Sequence, residues 1–566
     1  MSTVHFGNVL VERDVPCRLR DGIILYADVY RPEGPGPFPV LLMRQPYGKA
    51  IASTVSHAHP TWYANRGYLV IIQDVRGCGS SEGEFVPFVH EASDGYDAVE
   101  WAAALPYSSG RVGMYGFSYQ GSTQWAAAAE KPPHLAAIAP AMCAADMYHG
   151  MFYPHGRFML EEHLPWAFQL AREAARKAGD TAAEHFCTLV RKKTPDDLLL
   201  QTPINGEHPI LKAYFPTYED WTQRPAGDAY WEHLNWLPRL TSNPVPALII
   251  GGWYDVFLMG TLQSYDALIR ELRPEDSLHY RLIVGPWNHI PWGRRAGGVD
   301  HGAEAHGNIH LEQVRWFDYW LKQDPEVNLR AEPQVRYYEL QSRCWRALGE
   351  RTSPFRSGEP ALRLHLGGTA QPSNGAFGGG WLTSGEEEAG AGAADVFVYD
   401  ARLPMPLESF TPLDRSGIED RHELLLYTSK PLTCSYRVYG APKLTVAYQT
   451  LGGPTDLVAI LTIVEPDGSS RFLSVGRTEI DSEQGTDTNE WKTANLELRP
   501  LAVEFYAGSS IRLELTGSAF PMLARHPNGM SGQVHQAGVN ELRIATVAIG
   551  RGEGYQSYLE LPIMEK

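Results

Sequence analysis

The 566-residue sequence contains no apolar run of about 18 residues, the length that a membrane-spanning helix needs. Its first twenty residues, MSTVHFGNVLVERDVPCRLR, lack the apolar core of a secretory signal. The six cysteines, at positions 17, 78, 143, 187, 344 and 434, are widely scattered and form no C-x-x-C pair. Together these absences predict a cytoplasmic protein with reduced thiols and no membrane partner.

The sequence also lacks a surplus of positive charge. Its formal net charge is -17 and its pI is about 5.6, which disfavours binding to nucleic acid or to anionic membranes. We therefore expect no nucleic-acid partner. The length is too great for one ordinary domain, so we expect several domains, each with its own core.

Three patterns follow one another along the chain. Short apolar runs such as YLVIIQDVRG alternate with helical segments, which predicts a mostly parallel sheet covered by helices on both faces. This alternation is interrupted by helical segments such as TAAEHFCTLVRKK, and it gives way near the end to strands such as SIRLELTG. We predict an α/β domain over 1–144 and 241–350, a helical cap over 145–240, and an all-β jelly roll over 351–566. The glycine-rich stretch 374–395 predicts a mobile surface loop.

The segment GMYGFSYQG, residues 113–121, places a serine on a predicted strand-to-helix turn. A strained turn of this kind exposes a nucleophilic serine at the end of a strand, so Ser118 is the candidate nucleophile. Gly116 leaves room for the sharp turn. The glycine usual two positions after the serine is absent, because position 120 is Gln and the glycine stands at 121.

Two further strand ends carry the residue types that would activate a serine. Asp255 follows the apolar run VPALIIGGWY, and His289 follows YRLIVGPWN. A histidine accepts the serine proton and a carboxylate orients that histidine, and the order Ser, Asp, His is that of α/β hydrolases. Because open parallel sheets place ligands at the carboxyl ends of their strands, we predict a triad of Ser118, Asp255 and His289.

The stretches QPYGK, IIQDVRGCGSSEGEFVPF, GGWYD and GPWNH, with G-x-S-Y-x-G, resemble the bacterial cocaine esterase family. That family includes X-prolyl dipeptidyl peptidases and α-amino acid ester hydrolases, and the resemblance covers almost the whole chain. It implies an α/β hydrolase fold with a helical cap and a C-terminal jelly roll, acting on a small-molecule ester without a cofactor. It also implies an oxyanion hole formed by the Tyr119 backbone N–H and the Tyr47 hydroxyl, and the physics agrees, since a phenol is a competent donor to a developing oxyanion.

Aromatic residues are dense where a substrate pocket would lie. Trp166 and Phe257 match positions that line the acyl pocket in the resembled family, and Phe152 and Trp287 stand near the predicted cap and base. We predict that these four residues contact the substrate and that its acyl group is aromatic or bulky and apolar. The alternative is that many of these side chains belong to the core.

Histidines at 301, 306 and 310 invite a metal interpretation. A helical metal pair needs a spacing of four residues, which His306 and His310 have, but the glycine after His306 indicates a loop. We therefore predict no metal site.

Two other functions stay open at this point. One is an amide-directed acylase, or an X-prolyl or α-amino acid ester hydrolase, which would hold a substrate ammonium with carboxylates such as Glu161 with Glu162, or Asp300 with Glu304. The other is a non-catalytic jelly-roll binding protein. Substrate identity is not fixed by the sequence, and a homodimer is one open oligomeric state.

Overall fold

A computed structural model describes residues 2–50, 56–204, 207–242, 244–271, 276, 279–349, 352–353, 355, 361–481, 490–529 and 534–564. Within these ranges no helix has both the length and the apolarity needed to cross a membrane. The domain boundary predicted between residues 350 and 351 lies outside the described residues.

The N-terminal part of the chain is built on one large sheet. Its strands, with a small separate hairpin formed by β10 and β11, are β1 Ser2–Phe6, β2 Val9–Arg18, β3 Ile24–Pro32, β4 Phe38–Gln45, β5 Leu69–Asp74, β6 Ser108–Phe117, β7 Leu135–Ala141, β8 Ala247–Gly252, β9 Tyr280–Gly285, β10 Arg295–Ala296, β11 Val299–Asp300, β12 Val335–Glu339 and β13 Cys344–Leu348. The order across the large sheet is β1-β2-β3-β5-β4-β6-β7-β8-β9-β12-β13.

The middle of this sheet, from β5 to β12, is parallel, and its two ends are antiparallel. Every residue of β5, β8 and β9 is buried, as expected for strands that carry helices on both faces. The predicted α/β hydrolase sheet is therefore confirmed. Strands β1, β2 and β3 at one end and β13 at the other extend this parallel part through antiparallel pairings.

Helices cover the sheet and form a separate layer above it. Their bounds are α1 Pro60–Ala64, α2 Glu91–Ala103, α3 Tyr119–Ala129, α4 Leu160–Ala178, α5 Thr181–Lys192, α6 Asp196–Leu199, α7 Pro209–Tyr214, α8 Thr217–Gln223, α9 Ala229–His233, α10 Leu237–Thr241, α11 Leu258–Arg270 and α12 Ile309–Phe317. The helices α4 to α10 all lie between β7 and β8 in the chain, and we call them the cap. Gly179, at φ 74°, ends α4, and the Asp180 side chain then accepts from the Ala183 N–H to begin α5.

The C-terminal part is built of strands, which we call the β-domain. Its strands are β14 Ala361–Gly368, β15 Gly380–Thr383, β16 Ala393–Asp400, β17 Pro406–Leu407, β18 Leu425–Ser429, β19 Tyr436–Gly440, β20 Lys443–Leu451, β21 Thr455–Val464, β22 Ser470–Ile480, β23 Lys492–Glu497, β24 Leu501–Phe505, β25 Ser510–Thr516, β26 Phe520–Pro521, β27 Ile544–Arg551 and β28 Tyr558–Pro562. Most of their pairings are antiparallel. The expectation of an all-β C-terminal domain is confirmed.

The prediction of a mobile loop over 374–395 is wrong for part of that stretch. Strand β15 and the start of β16 lie there, and β15 pairs with both β14 and β18. A Cβ on Gly380 would lie 2.2 Å from the carbonyl oxygen of Leu426. These glycines therefore allow backbones to approach closely, and their number does not indicate flexibility here.

The cap and the β-domain are joined by a buried ion network. Arg157, just before α4, donates to the Asp456 carboxylate at 2.7 Å, and Arg477 pairs with the same carboxylate. All three side chains are almost completely buried. Since removing one partner of a buried pair leaves an uncompensated charge, this network fastens the beginning of the cap to strands β21 and β22.

Candidate active site

The turn that carries Ser118 has a strained backbone. Ser118 stands between β6 and α3 with φ 57° and ψ -127°, a conformation that costs about 1–3 kcal/mol for a residue other than glycine. Its N–H donates to the carbonyl of Ala141 at 2.9 Å, and its own carbonyl accepts from the N–H groups of Gly121 and Ser122. These bonds hold a half-buried serine at the end of a central strand, which is the geometry of a nucleophile elbow.

The two glycines of this turn have different roles. Gly116 has φ 135°, and a Cβ there would lie 2.5 Å from the Cβ of Gln120. A Cβ on Gly121 would lie 2.5 Å from the sulfur of Cys143 and 2.9 Å from the Ala141 carbonyl oxygen. Gly121 therefore lets α3 lie close to the end of β7, and this close approach accounts for a glycine at 121 while position 120 carries a side chain.

Asp255 and His289 stand after the neighbouring strands β8 and β9, and their side chains meet. Nδ1 of His289 lies 2.8 Å from Oδ1 of Asp255, and the Asp255 side chain is completely buried. Burial lowers the pKa of His289, but the hydrogen bond to Asp255 and the charge of that carboxylate outweigh it, so the pKa lies above its ordinary value. The pair can therefore orient an imidazole and stabilise its protonated form.

Two aromatic rings fix the position of the His289 ring. Phe117, the residue before Ser118, has its ring centre 5.7 Å from that of His289. Phe257, two residues after Asp255, packs edge-on against the same ring, and the two ring centres are 5.0 Å apart. The indole N–H of Trp292 also donates to the His289 carbonyl at 3.0 Å. The imidazole is thus held against the ring of Phe117, the residue that precedes Ser118.

Two candidate donors stand near the same strand ends. Tyr47 follows β4, which pairs with β6 in the sheet, so its loop lies next to the Ser118 turn. Burial raises the pKa of Tyr47, which keeps the phenol protonated and able to donate. Tyr119 is the first residue of α3, so its N–H has no acceptor within the helix. Each of the two groups is therefore a candidate hydrogen-bond donor at this sheet edge.

The Tyr119 side chain is anchored by groups that sequence reasoning did not identify. Its hydroxyl donates to Glu91 at 2.7 Å and accepts from the Phe88 N–H at 3.0 Å. Glu91 in turn pairs with the fully buried Arg44 at 2.6 Å. This buried chain fixes the first residue of α3, and no local sequence pattern identifies its members.

The four predicted substrate contacts occupy different places. Trp166 is half-buried, stacks on Trp221 at 5.0 Å and lines a large cavity, whereas Phe257 is buried and contacts His289. Phe152 is completely buried and stacks on His163 at 4.1 Å. Trp287 is also completely buried, and its N–H donates to the Ala305 carbonyl at 2.7 Å. Neither Phe152 nor Trp287 lines either of the two large cavities.

Two cavities lie along the cap helix α4. The larger, of about 950 Å³, lies between the cap and the β-domain, and its lining includes Glu161, Glu162 and Trp166. The second, of about 450 Å³, includes Tyr47 in its lining. Gln169 of α4 lines both, and the larger cavity uses the first half of this helix while the second uses the last half.

The lining of the larger cavity carries charges of both signs, with the carboxylates of Glu161, Glu162, Asp196 and Glu408 and the basic side chains of Arg191, Lys192, Lys193, Arg402 and Arg421. Burial raises the pKa of Glu161 to about 7, and the neighbouring Glu162, Glu408 and Asp196 add to this. Burial also raises the pKa of Glu162, while the charges of His289 and Arg191 oppose it. Glu162 is therefore close enough to His289 for their charges to interact.

The other carboxylate pair considered from the sequence is placed differently. Asp300 pairs with Arg294 at 2.5 Å near the surface, and the Glu304 carbonyl accepts from the Trp345 indole. Neither residue lines the two large cavities.

Among the described residues, one group of three side chains has metal-binding atoms close together. It consists of Asp456, Glu479 and His526. Arg157 and Arg477 already donate to these carboxylates, and two guanidinium groups would repel a cation. The chemistry of this group is that of an ion-pair network.

A further side chain missed by sequence reasoning reaches the acid loop, residues 253–257, from the β-domain. Arg499 donates to the carbonyl of Asp255 at 2.7 Å and lies 3.5 Å from that of Trp253. It stands between β23 and β24, far along the chain, and no local pattern marks it.

Comparisons with known proteins agree with this architecture. A family model described as X-Pro dipeptidyl-peptidase (S15 family) matches residues 21–291. A second model, described as X-Pro dipeptidyl-peptidase C-terminal non-catalytic domain, matches residues 328–560. Cocaine esterase of Rhodococcus sp. (strain MB1 Bresler) is 30% identical over 586 residues, which cover 99% of this chain and 100% of that protein.

Two solved structures have the same fold over nearly their whole lengths. An α-amino acid ester hydrolase aligns with a TM-score of 0.80 and 21% identity, covering 98% of this chain and 97% of its own. An aminopeptidase from a marine sediment archaeon, Thaumarchaeota archaeon, aligns with a TM-score of 0.78 and 21% identity, covering 99% and 97%.

Proposed function

The chain belongs to the cocaine esterase family, and from this premise we propose that it is a serine esterase in which Ser118, His289 and Asp255 carry the reaction. Hydrolysis of a carboxylic ester through a serine is supported by the family. The observation that carries the residue assignment is the 2.8 Å bond between His289 and Asp255 beside the strained Ser118 turn. A serine, a base and an orienting carboxylate in this arrangement form a catalytic triad.

The proposed reaction has two halves. His289 Nε2 takes the Ser118 proton as Oγ attacks the ester carbonyl, and the same nitrogen then gives that proton to the departing alcohol. This leaves the acyl group on Ser118 and a neutral imidazole. Water attacks the acyl-enzyme in the second half, His289 again accepting and returning one proton, and the acid product leaves.

We propose that Tyr119 N–H and Tyr47 hydroxyl stabilise the oxyanion of both tetrahedral intermediates. Both donors follow strands at the same sheet edge as Ser118. Their dipoles are fixed before the substrate arrives, so they favour charge that is fully developed only in the transition state.

For the acyl group we propose an aromatic or bulky apolar acid, contacted by Trp166 and Phe257. Phe257 lies against His289, and Trp166 lines the larger cavity. Phe152 and Trp287 are more consistent with a supporting role, because their rings are buried within aromatic clusters.

A second candidate, hydrolysis of α-amino acid esters, is favoured by one observation. Glu161 and Glu162 line the larger cavity, and Glu162 interacts with His289 electrostatically. A carboxylate in that position could hold a substrate ammonium group.

One plate assay separates these candidates. Wild type is compared with Ser118→Ala on 4-nitrophenyl acetate, 4-nitrophenyl benzoate, an α-amino acid 4-nitrophenyl ester and an Xaa-Pro 4-nitroanilide. We expect the benzoate to be turned over with the highest kcat/KM and the anilide hardly at all. Highest turnover of the amino acid ester would favour the second candidate. The mass of Ser118-containing peptides after incubation with a mixed ester library then identifies the acyl group that the enzyme retains.

A further inference from the structure

The acid loop is contacted from the β-domain as well as from its own sheet. Within the sheet, the Tyr254 N–H donates to the Trp287 carbonyl at 3.1 Å and the Asp255 N–H to the Gly252 carbonyl at 3.0 Å. On the opposite side, Val256 packs against an apolar cluster of the β-domain that contains Phe410. The loop is therefore enclosed between two domains.

Arg499 makes polar contacts at this interface. Its guanidinium donates to the Asp255 carbonyl at 2.7 Å and stands 3.9 Å above the ring of Phe410. Its own backbone is fixed by β22, since its N–H donates to the Val475 carbonyl at 2.9 Å and its carbonyl accepts from the Ser474 hydroxyl at 2.6 Å. A rigid strand pair thus aims this side chain at the carbonyl of the acid.

The charge of Arg499 is unusual for a buried group. The side chain is 3% exposed, and among the described residues no carboxylate forms an ion pair with it. Burial lowers the pKa of Arg499 to about 10, opposed by the charge of Asp255, so the group is still a cation at neutral pH. Burying an unpaired cation is expensive, and Asp255 is the carboxylate whose charge acts on it.

We propose that Arg499 is a positioning residue for Asp255. Through it the β-domain holds the acid loop so that the Asp255 carboxylate faces His289 Nδ1. The proposal rests on the catalytic role proposed for Asp255. Arg499 touches neither substrate nor reacting atoms. It fixes the peptide that carries the carboxylate, and a displacement of about 1 Å in such a support can cost about 10²-fold in rate.

The test compares three variants on one activated ester. Arg499→Met keeps much of the apolar stem over Phe410 but removes the donors, and we expect kcat to fall by about 10²-fold with KM little changed. Arg499→Lys keeps the charge and a donor group but loses the planar geometry of the guanidinium, and we expect a loss between that of Arg499→Met and wild type. The matched control is Arg525→Met, since Arg525 also donates from the β-domain to backbone carbonyls, those of Ala401 and Leu200, but not to the acid loop. We expect its kcat to equal that of wild type.

A double mutant distinguishes positioning from general support of the fold. If Arg499 acts through Asp255, then Arg499→Met should cause no further loss of kcat in an Asp255→Asn background. Full additivity of the two losses, or an unchanged kcat in Arg499→Met, would overturn the proposal. So would parallel losses of kcat and melting temperature in Arg499→Met and Arg525→Met.

The same data separate this inference from the proposed function. An Asp255→Asn variant with normal turnover contradicts the triad itself. If Asp255→Asn loses kcat while Arg499→Met keeps the wild-type kcat, the triad is supported and only the role of Arg499 is contradicted. If Arg499→Met does not fold, the Arg499→Lys series is read in the same double-mutant cycle.

Discussion

The turn of Ser118 and the loop of Asp255 both follow strands of one sheet, but they are held in different ways. The Ser118 turn is fixed by its own neighbourhood: the adjacent strand end accepts its N–H, and Gly116 and Gly121 remove the side chains that would clash. The Asp255 loop is fixed partly by its sheet and partly by Arg499, which lies 244 residues away in the chain.

This difference separates a locally encoded element from one that depends on the tertiary structure. A strained φ/ψ pair persists only where the surroundings over-determine it, and at Ser118 those surroundings lie within a few residues or on the next strand. At Asp255 the support comes from another domain. We therefore expect loss of the Ser118 hydroxyl to affect catalysis alone, and substitutions around the Asp255 loop to affect both catalysis and the contact between domains.

The largest effect should come from removing the hydroxyl of the turn. Ser118→Ala deletes the attacking oxygen, and we expect kcat to fall by about 10⁶-fold while the melting temperature is retained. An organophosphonate should label wild type at Ser118 and fail to label the variant. Ser122→Ala removes a hydroxyl from the same helix and should keep wild-type activity. A fully active Ser118→Ala would show that the turn is not the reacting element.

The corresponding substitution in the acid loop is Asp255→Asn. We expect it to lower kcat by about 10⁴-fold, because the imidazole is no longer held in the required tautomer. Its pH profile carries further information. The pKa of His289 lies above its ordinary value, so wild-type kcat/KM should fall as the pH drops through that raised value and protonates the base.

In Asp255→Asn the effect of burial on His289 remains while the opposing carboxylate is gone. The acid limb of kcat/KM should therefore move to lower pH. An acid limb that stays in place in this variant would mean that another group is titrating.

A substitution of Tyr47 tests whether the loop after β4 belongs to the active site together with the Ser118 turn and the Asp255 loop. Tyr47→Phe removes one oxygen and keeps the ring, so we expect single-turnover acylation to slow by about 10²–10³-fold, or ~2.7–4 kcal/mol. The melting temperature is measured alongside. Acylation within a few-fold of wild type would leave Tyr47 as a turn residue and the second donor unassigned.

The smallest effects should come from the rings around the site. Phe257→Ala in the acid loop and Trp166→Ala in the cap should each cost about 1–3 kcal/mol of binding to a benzoate ester, and less to an acetate ester. Phe186→Ala removes a cap ring that packs on Phe168, and should leave the benzoate-to-acetate ratio unchanged. Equal losses on both esters for Phe257→Ala and Trp166→Ala would assign these two rings to the core.

Much of this architecture can be predicted from short-range patterns. Buried apolar runs gave the parallel strands, and the polar residue after each run marked the sheet edge where Ser118, Asp255 and His289 now stand. The glycine at 121 was seen as a departure from the usual spacing, and its cause, contact with Cys143, needs the structure.

Features that depend on distant contacts could not be predicted in this way. Arg499, Glu91 and Arg44 have no local pattern, because each is defined by a partner more than 25 residues away. The glycine-rich stretch around Gly380 was misread because composition alone does not tell close packing from flexibility. The burial of Trp287 likewise depends on Ala305 and Trp292, which sequence spacing did not connect to it.

The distance in sequence between Arg499 and the loop it contacts has a consequence for biosynthesis. A ribosome delivers Ser118, Asp255 and His289 well before residue 499, and domains generally fold in that order. During this interval the nascent chain carries every reacting group while the Asp255 carbonyl still lacks its guanidinium donor. The centre therefore reaches its observed geometry only once the last strands have closed onto it, and a chain that stops before residue 499 lacks that final restraint.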